Sequence, residues 1–125
     1  MKYIQTDDAL KPAGHYSQAI VHNGLVYVSG QLPINAESGE KVTCEIELQT
    51  RQVFDNLINI LDKAGTNLDQ TLKLVVYISD VHNWNKIDAI CGHYFKNHKP
   101  VRTIVPTREL HFGLGIEVDC IAICR

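Results

Sequence analysis

The stretch "VRTIVPTRE", Val101 to Glu109, sets an arginine among β-branched residues, and fifteen residues after Arg102 comes Glu117 in "GIEVDC". A guanidinium keeps its charge even when covered and presents planar paired donors, so Arg102 needs a carboxylate, a carbonyl cluster or an anionic ligand. On a strand, Arg102, Ile104, Pro106 and Arg108 share one face, while Glu117 and Asp119 share a face of the final strand. Two readings follow. In one, Arg102 or Arg108 closes a structural ion pair with Glu117 or Asp119. In the other, Arg102 clamps the carboxylate of a 2-oxo or 2-imino acid in a small apolar pocket while Glu117 holds a water.

Other residues carry weaker chemistry. Tyr16 and Ser17 read as turn and strand residues before a hairpin. Ser29-Gly30-Gln31 ends a strand, where glycine either admits a ligand close to the backbone or makes a turn. Trp84 reads as core on a helix face. Cys44, Cys91, Cys120 and Cys124 form no CxxC pair, and a chain of this size folds without disulfides, so reduced thiols are expected. His93 and His98 fall on different helix faces, and no HExxH, Cys/His cluster or phosphate-loop glycine spacing is present. Structural zinc and nucleophilic triads are therefore not expected.

The formal charge of −2 supplies no pull toward phosphate backbones or anionic lipid, and no local basic patch replaces it. Apolar runs are strand-sized, and "MKYIQTDDALKP" lacks the apolar stretch of a signal peptide. A cytoplasmic protein without nucleic-acid or membrane partners is expected. The 125 residues, 45% of them hydrophobic, suffice for one domain over 1–125 with its own core.

The elements that must position these residues are legible in the pattern. In "HYSQAIVHNGLVYVSG", Asn23-Gly24 between two β-rich runs predicts a tight antiparallel hairpin. The polar stretch "QLPINAESGEKVTCEIE" then predicts a surface loop that covers something. From Leu48, apolar residues at three- and four-residue steps predict a helix that Gly65 terminates. "LKLVVYIS" predicts a strand covered on both faces. A second helix follows, with Asn83 as its cap and Pro100 beyond its end. Two closing strands flank "LHFGLG". Two strand-helix-strand passages imply right-handed crossovers onto one mixed sheet with both helices on one face. In "IEVDCIAIC", Ile116, Val118, Cys120 and Ala122 point one way and Ile121 and Ile123 the other, so the uncovered face is also apolar and self-association is expected.

The segments "GHYSQAIVHNGLVYVSGQLP", "LQTRQVFDNLINILDKAG", "VVYISDVHNWNKIDAI" and "PVRT" with the later "EVDCIAI" resemble the Rid (YjgF-type) reactive-intermediate deaminase family across nearly the whole chain. The resemblance implies a chorismate-mutase-like α+β fold, assembled as a homotrimer with three sites in the clefts between subunits. It implies a 2-iminobutanoate/2-iminopropanoate deaminase without cofactor, hydrolysing the enamine and imine products of pyridoxal-phosphate-dependent dehydratases to 2-oxo acids and ammonia. By the same resemblance Arg102 binds the substrate carboxylate and Glu117 positions water. Tyr16 is the site tyrosine, Gly30 after Ser29 gives a backbone contact, Trp84 from a neighbouring subunit walls the pocket, and Ile104 lends its backbone amide. His15 stands where proline is common, and "VPTRELHFG" departs from the best known deaminases, bringing Arg108, Glu109 and His111 toward a pocket rim. The alternatives are a non-catalytic 2-oxo-acid-binding or regulatory trimer and, third, RNA cleavage, which the acidic balance disfavours.

Overall fold

Asn23 and Gly24 adopt φ angles of 51° and 78°, the conformation of a two-residue hairpin turn. They fold β3 (Leu25–Gln31) back onto β2 (Ala19–His22), as the Asn-Gly pair predicts. The computed structural model describes all 125 residues. Its other strands are β1 (Lys2–Ile4), β4 (Thr71–Ile78), β5 (Val101–Pro106) and β6 (Ile116–Ile123), and its helices α1 (Ile46–Lys63) and α2 (Trp84–Phe95). The strands form one mixed sheet in the order β1-β2-β3-β6-β4-β5. β1 is a strand that the polar lead-in does not suggest; it pairs antiparallel with β2. The sheet's one parallel pair, β4 with β5, is joined through α2.

α1 begins two residues before Leu48 and ends where Gly65 turns to φ 86°. There the Gly65 N–H donates to the Asp62 carbonyl and the Thr66 N–H to that of Leu61, satisfying carbonyls the helix leaves open. The expected cap of α2 differs. Asn83 has helical angles and makes no side-chain cap. Asp80 instead accepts from the His82 N–H and opens a short 3-10 turn, Val81–Asn83, that runs into α2. Lys96 at φ 57° ends α2, ahead of Pro100.

Both helices lie on one face. Phe54 of α1 stacks on Tyr94 of α2 at 5.2 Å and meets Phe95 edge-on at 5.7 Å. Beneath them Leu74, Val76, Ile78, Ile116, Val118, Cys120 and Ala122 are essentially inaccessible. Ile121 and Ile123 point to the other side and stay partly exposed, as the alternation predicts. β4, expected to be covered on both faces, is covered on one: Lys73 is exposed and Val75 and Tyr77 are only partly buried. Across that open face the register aligns Tyr3, Ile20, Tyr27, Ile121, Lys73 and Val101, one residue per strand. Five of these six are apolar, which makes the row a surface that water solvates poorly.

Candidate functional site

Parallel pairing of β5 with β4 puts Arg102 opposite Leu74, and antiparallel pairing puts Leu74 opposite Cys120. Paired residues share a face, so Arg102 belongs to the helix-covered side. Its Nη1 donates to Asp88 Oδ1 of α2 at 2.8 Å. Its Cζ lies 5.5 Å from the centre of the Trp84 ring, one helical turn before Asp88. The structural ion pair is present but with a different carboxylate: Asp88 neutralises Arg102, and Glu117 and Asp119, which point to the opposite face, do not. Trp84 reads from the sequence as core on a helix face; in the structure it is 41% exposed and lies by Arg102 of its own chain.

Arg102 keeps 23% of its side chain exposed. A cavity of about 490 Å³ opens beside it, lined among others by Leu74, Asp88, Cys91, Phe95, His98 and Arg102. Burial pushes the Cys91 thiol up to about 11, against the opposing charge of Arg102, so this sulfur stays protonated near neutrality. Ile104, two residues on, packs its side chain against the core.

The second group of residues is on the open face. β3 carries one extra residue against β6: Val28 faces Cys120 and Gln31 faces Val118, three steps on one strand against two on the other. Such a bulge re-aims the chain, and here it brings Gly30 against the Glu117 carboxylate. A methyl group built on Gly30 would collide with Glu117 Oε2 and stand 3.0 Å from its Cδ. Glycine is needed for that approach, not for an unusual backbone angle. Glu117 is half-buried with no cation bonded to it, and its pKa is raised above the usual carboxylate range. Loss of hydration is the main cause, His111 opposes it with its charge, and Asp119 adds to it. Asp119 is raised as well, chiefly by burial, with the nearby Tyr77 hydroxyl and the charge of Lys73 opposing it.

The remaining predicted residues frame this half. The Ser29 hydroxyl and N–H both donate to the Gln18 carbonyl, at 3.0 and 2.9 Å. Gln18, buried to 2%, ties the lead-in to the sheet: its amide donates to the carbonyls of Thr6 and Leu10 and its oxygen accepts from the Thr6 N–H. Tyr16 stands 55% exposed next to Gly14, outside both groups. Asn56 of α1 donates to the carbonyls of Leu32 and Ile34, pinning the loop that follows β3. His111 precedes Phe112, which holds φ 61° and receives Lys41 over its ring at 4.5 Å. Sequence reasoning passed over Gln18 and Asp88. The first sits in the quoted Tyr-Ser-Gln run; the second follows Trp84 by four residues, the spacing that puts two side chains on one helix face.

One chain thus holds a cation with an aromatic wall on one side of its sheet and a desolvated carboxyl on the other. Comparison with known proteins agrees with this architecture. The endoribonuclease L-PSP family model matches residues 6–124. A RutC family protein of Pyrococcus horikoshii is 39% identical over 119 residues, 95% of this chain and 94% of its own. The crystal structure of YyfA of the conserved Rid family, from Yersinia pestis, superposes with a TM-score of 0.95 at 39% identity and covers 98% of each chain. E. coli TdcF, solved with bound serine, superposes at 0.94 with 26% identity over the full length of both. No helix here is long and apolar enough to cross a membrane. The fold, the paired motifs and these likenesses together establish that the chain belongs to the endoribonuclease L-PSP family, to which the Rid and RutC proteins belong.

Proposed function

We propose that this protein is a 2-imino-acid deaminase, hydrolysing 2-iminobutanoate and 2-iminopropanoate to 2-oxo acids and ammonia, and that it works as a cytoplasmic homotrimer with sites between subunits. The observation that carries this reading is the half-buried Glu117 carboxyl against Gly30, desolvated and bonded to no cation. A base with a raised pKa operates closer to neutral pH, where proton transfer is most effective. Arg102 supplies the partner chemistry: a guanidinium that spends one nitrogen on Asp88 and retains other donors for a substrate carboxylate. TdcF, solved with serine, is a relative that accommodates a small amino acid.

In this reading Arg102 of one subunit grips the carboxylate and Glu117 of the next takes a proton from water. The oxygen adds to C2 of the iminium, and collapse of the carbinolamine breaks the C–N bond and releases ammonia. Gly30 and Ile104 contribute backbone contacts, Tyr16 and Trp84 the walls, and Ser29 holds the bulge. Protonated imines already hydrolyse in water, so positioning plus one general base, worth about 10²–10⁴-fold for proton transfer, suffices. Pyridoxal-phosphate-dependent dehydratases are the source of such imines.

The test generates 2-iminobutanoate with threonine dehydratase and follows 2-oxobutanoate release. Acceleration by this protein supports the assignment, and equal rates at ample protein overturn it. The Asp88 pair favours a second reading, a 2-oxo-acid-binding regulatory trimer in which Arg102 is too well neutralised for turnover. Tight 2-oxobutanoate binding without hydrolysis identifies it. RNA cleavage, suggested by the family's description, finds little support in a chain of net charge −2.

A further inference from the structure

We infer that Asp88 is a positioning residue that sets the charge selectivity of the Arg102 site, admitting monocarboxylates and discriminating against dicarboxylates; this rests on Arg102 being the carboxylate clamp proposed above. Three features carry it. The contact is one-handed: Nη1 donates to Asp88 Oδ1 at 2.8 Å, and the other side chain that offers the guanidinium an acceptor is Cys91, whose sulfur is too weak an acceptor to hold a donor against a carboxylate ligand. Of its five N–H donors, the rest are left for a ligand. The hold is two-sided, because the Trp84 ring lies 5.5 Å from Cζ while Asp88 projects from the next turn of the same helix. A planar cation gripped at one corner and backed by a ring has little freedom to rotate, so its remaining donors are fixed in direction.

The third feature is charge. Asp88 is 46% exposed and Arg102 23%, so the pair sits where ligand can reach it rather than sealed in the core. A substrate carboxylate docking on the free donors comes to rest beside a carboxylate that is already there. Like charges at such separations repel even under partial solvation. One negative charge is tolerated because the new guanidinium hydrogen bonds compensate it. A second carboxylate on the same ligand meets the Asp88 charge without new donors from Arg102. The Asp88 carboxylate therefore weakens ground-state binding of every anion, and of dianions most, while keeping the clamp in register for chemistry. Lys96, His98 and Lys99 border the same cavity and attract anions there, so the discrimination acts on a second carboxylate that docks on the Asp88 side of the guanidinium.

The test compares Asp88→Asn, Asp88→Glu and Asp88→Ala in the full-length protein, with 2-oxobutanoate and 2-oxoglutarate as titrants followed calorimetrically, and with imine hydrolysis measured in parallel. Asn keeps an acceptor for Nη1 and removes the charge. It is expected to tighten 2-oxobutanoate by about threefold to tenfold and 2-oxoglutarate by more, and to lower KM and kcat together. Glu retains the charge and is expected to preserve the preference for the monocarboxylate. Ala loses both acceptor and charge and is expected to cut kcat further than Asn. Unchanged or weakened binding of both titrants to the Asn variant overturns the inference and leaves Asp88 as a structural ion pair. If the wild-type protein accelerates no imine hydrolysis yet the Asn variant shows the charge-dependent tightening, the deaminase reading fails and the selectivity role stands.

Discussion

Arg102 and Glu117 lie on opposite faces of the same sheet: Arg102 pairs in register with Leu74 on the helix-covered side, and Glu117 with Tyr77 on the open side. Within one subunit these side chains diverge. A site that uses both has to be completed by a second copy of the chain, and the apolar row from Tyr3 through Tyr27 and Ile121 to Val101 supplies a surface for such a copy.

Arg102→Ala is expected to reduce imine hydrolysis by about 10²-fold or more, since losing the clamp removes orientation as well as charge. Stability should change by about 1 kcal/mol or less, because the Asp88 pair is partly exposed. Arg102→Lys should recover little activity, as an ammonium cannot hold Asp88 and a carboxylate in one plane. Steady-state kinetics with parallel thermal melts measure both effects; undiminished turnover in the alanine variant would remove Arg102 from the site.

Glu117→Gln tests a trade between function and stability. The folded chain raises the pKa of this carboxyl, chiefly by burial, so the folded state binds its proton more tightly than the unfolded state does. Stability from this group is accordingly highest below the ordinary carboxylate pKa and falls as pH rises through the raised folded value. Glutamine carries no charge to desolvate. The variant should melt above wild type at about pH 8, the gap should close toward about pH 4, and turnover should fall by about 10²-fold or more. Calorimetric scans across that range decide it.

Gly30→Ala places a methyl group where Glu117 Oε2 sits. The obstacle is the far end of a flexible side chain, so the fold should survive at a cost of about 1 kcal/mol. The carboxylate has to move, and displacement of a base by about 1 Å can cost about 10²-fold in rate. A cooperative melt lowered by only a few degrees, with kcat reduced by that order, is the expected result. Retained kcat would mean that Glu117 is not held by this approach.

The elements were legible where the signal is local. Asn23-Gly24 dictates the hairpin because only positive φ angles close a turn that tight, and Gly65 ends α1 for the same reason. The alternation Ile116, Val118, Cys120, Ala122 could be read straight into burial. Contacts that depend on how elements stack were not legible. Asp88 reaches Arg102 only because α2 settles over an edge strand fourteen residues further along the chain. Gly30 meets Glu117 only through the extra residue in β3, which no spacing in the sequence announces. β4 reads as covered on both faces because its composition suits burial on both, while a single chain has helices for one.

Mixing two inactive variants tests the shared site most directly. Arg102→Ala retains Glu117, and Glu117→Gln retains Arg102. If each site draws the arginine from one subunit and the glutamate from its neighbour, trimers assembled from equal amounts of the two should contain both wild-type groups at about a quarter of their sites. Unfolding and refolding the variants together should then restore about a quarter of wild-type turnover, whereas each refolded alone stays inactive. Adding Ile121→Asp to both chains puts a charge in the middle of the apolar row, which should dissociate the assembly and abolish the recovery, with light scattering reporting the loss of mass. Recovery absent from mixed, intact oligomers would mean that Arg102 and Glu117 do not act on one substrate. The opposite-face arrangement would then be a property of the fold and not of a site.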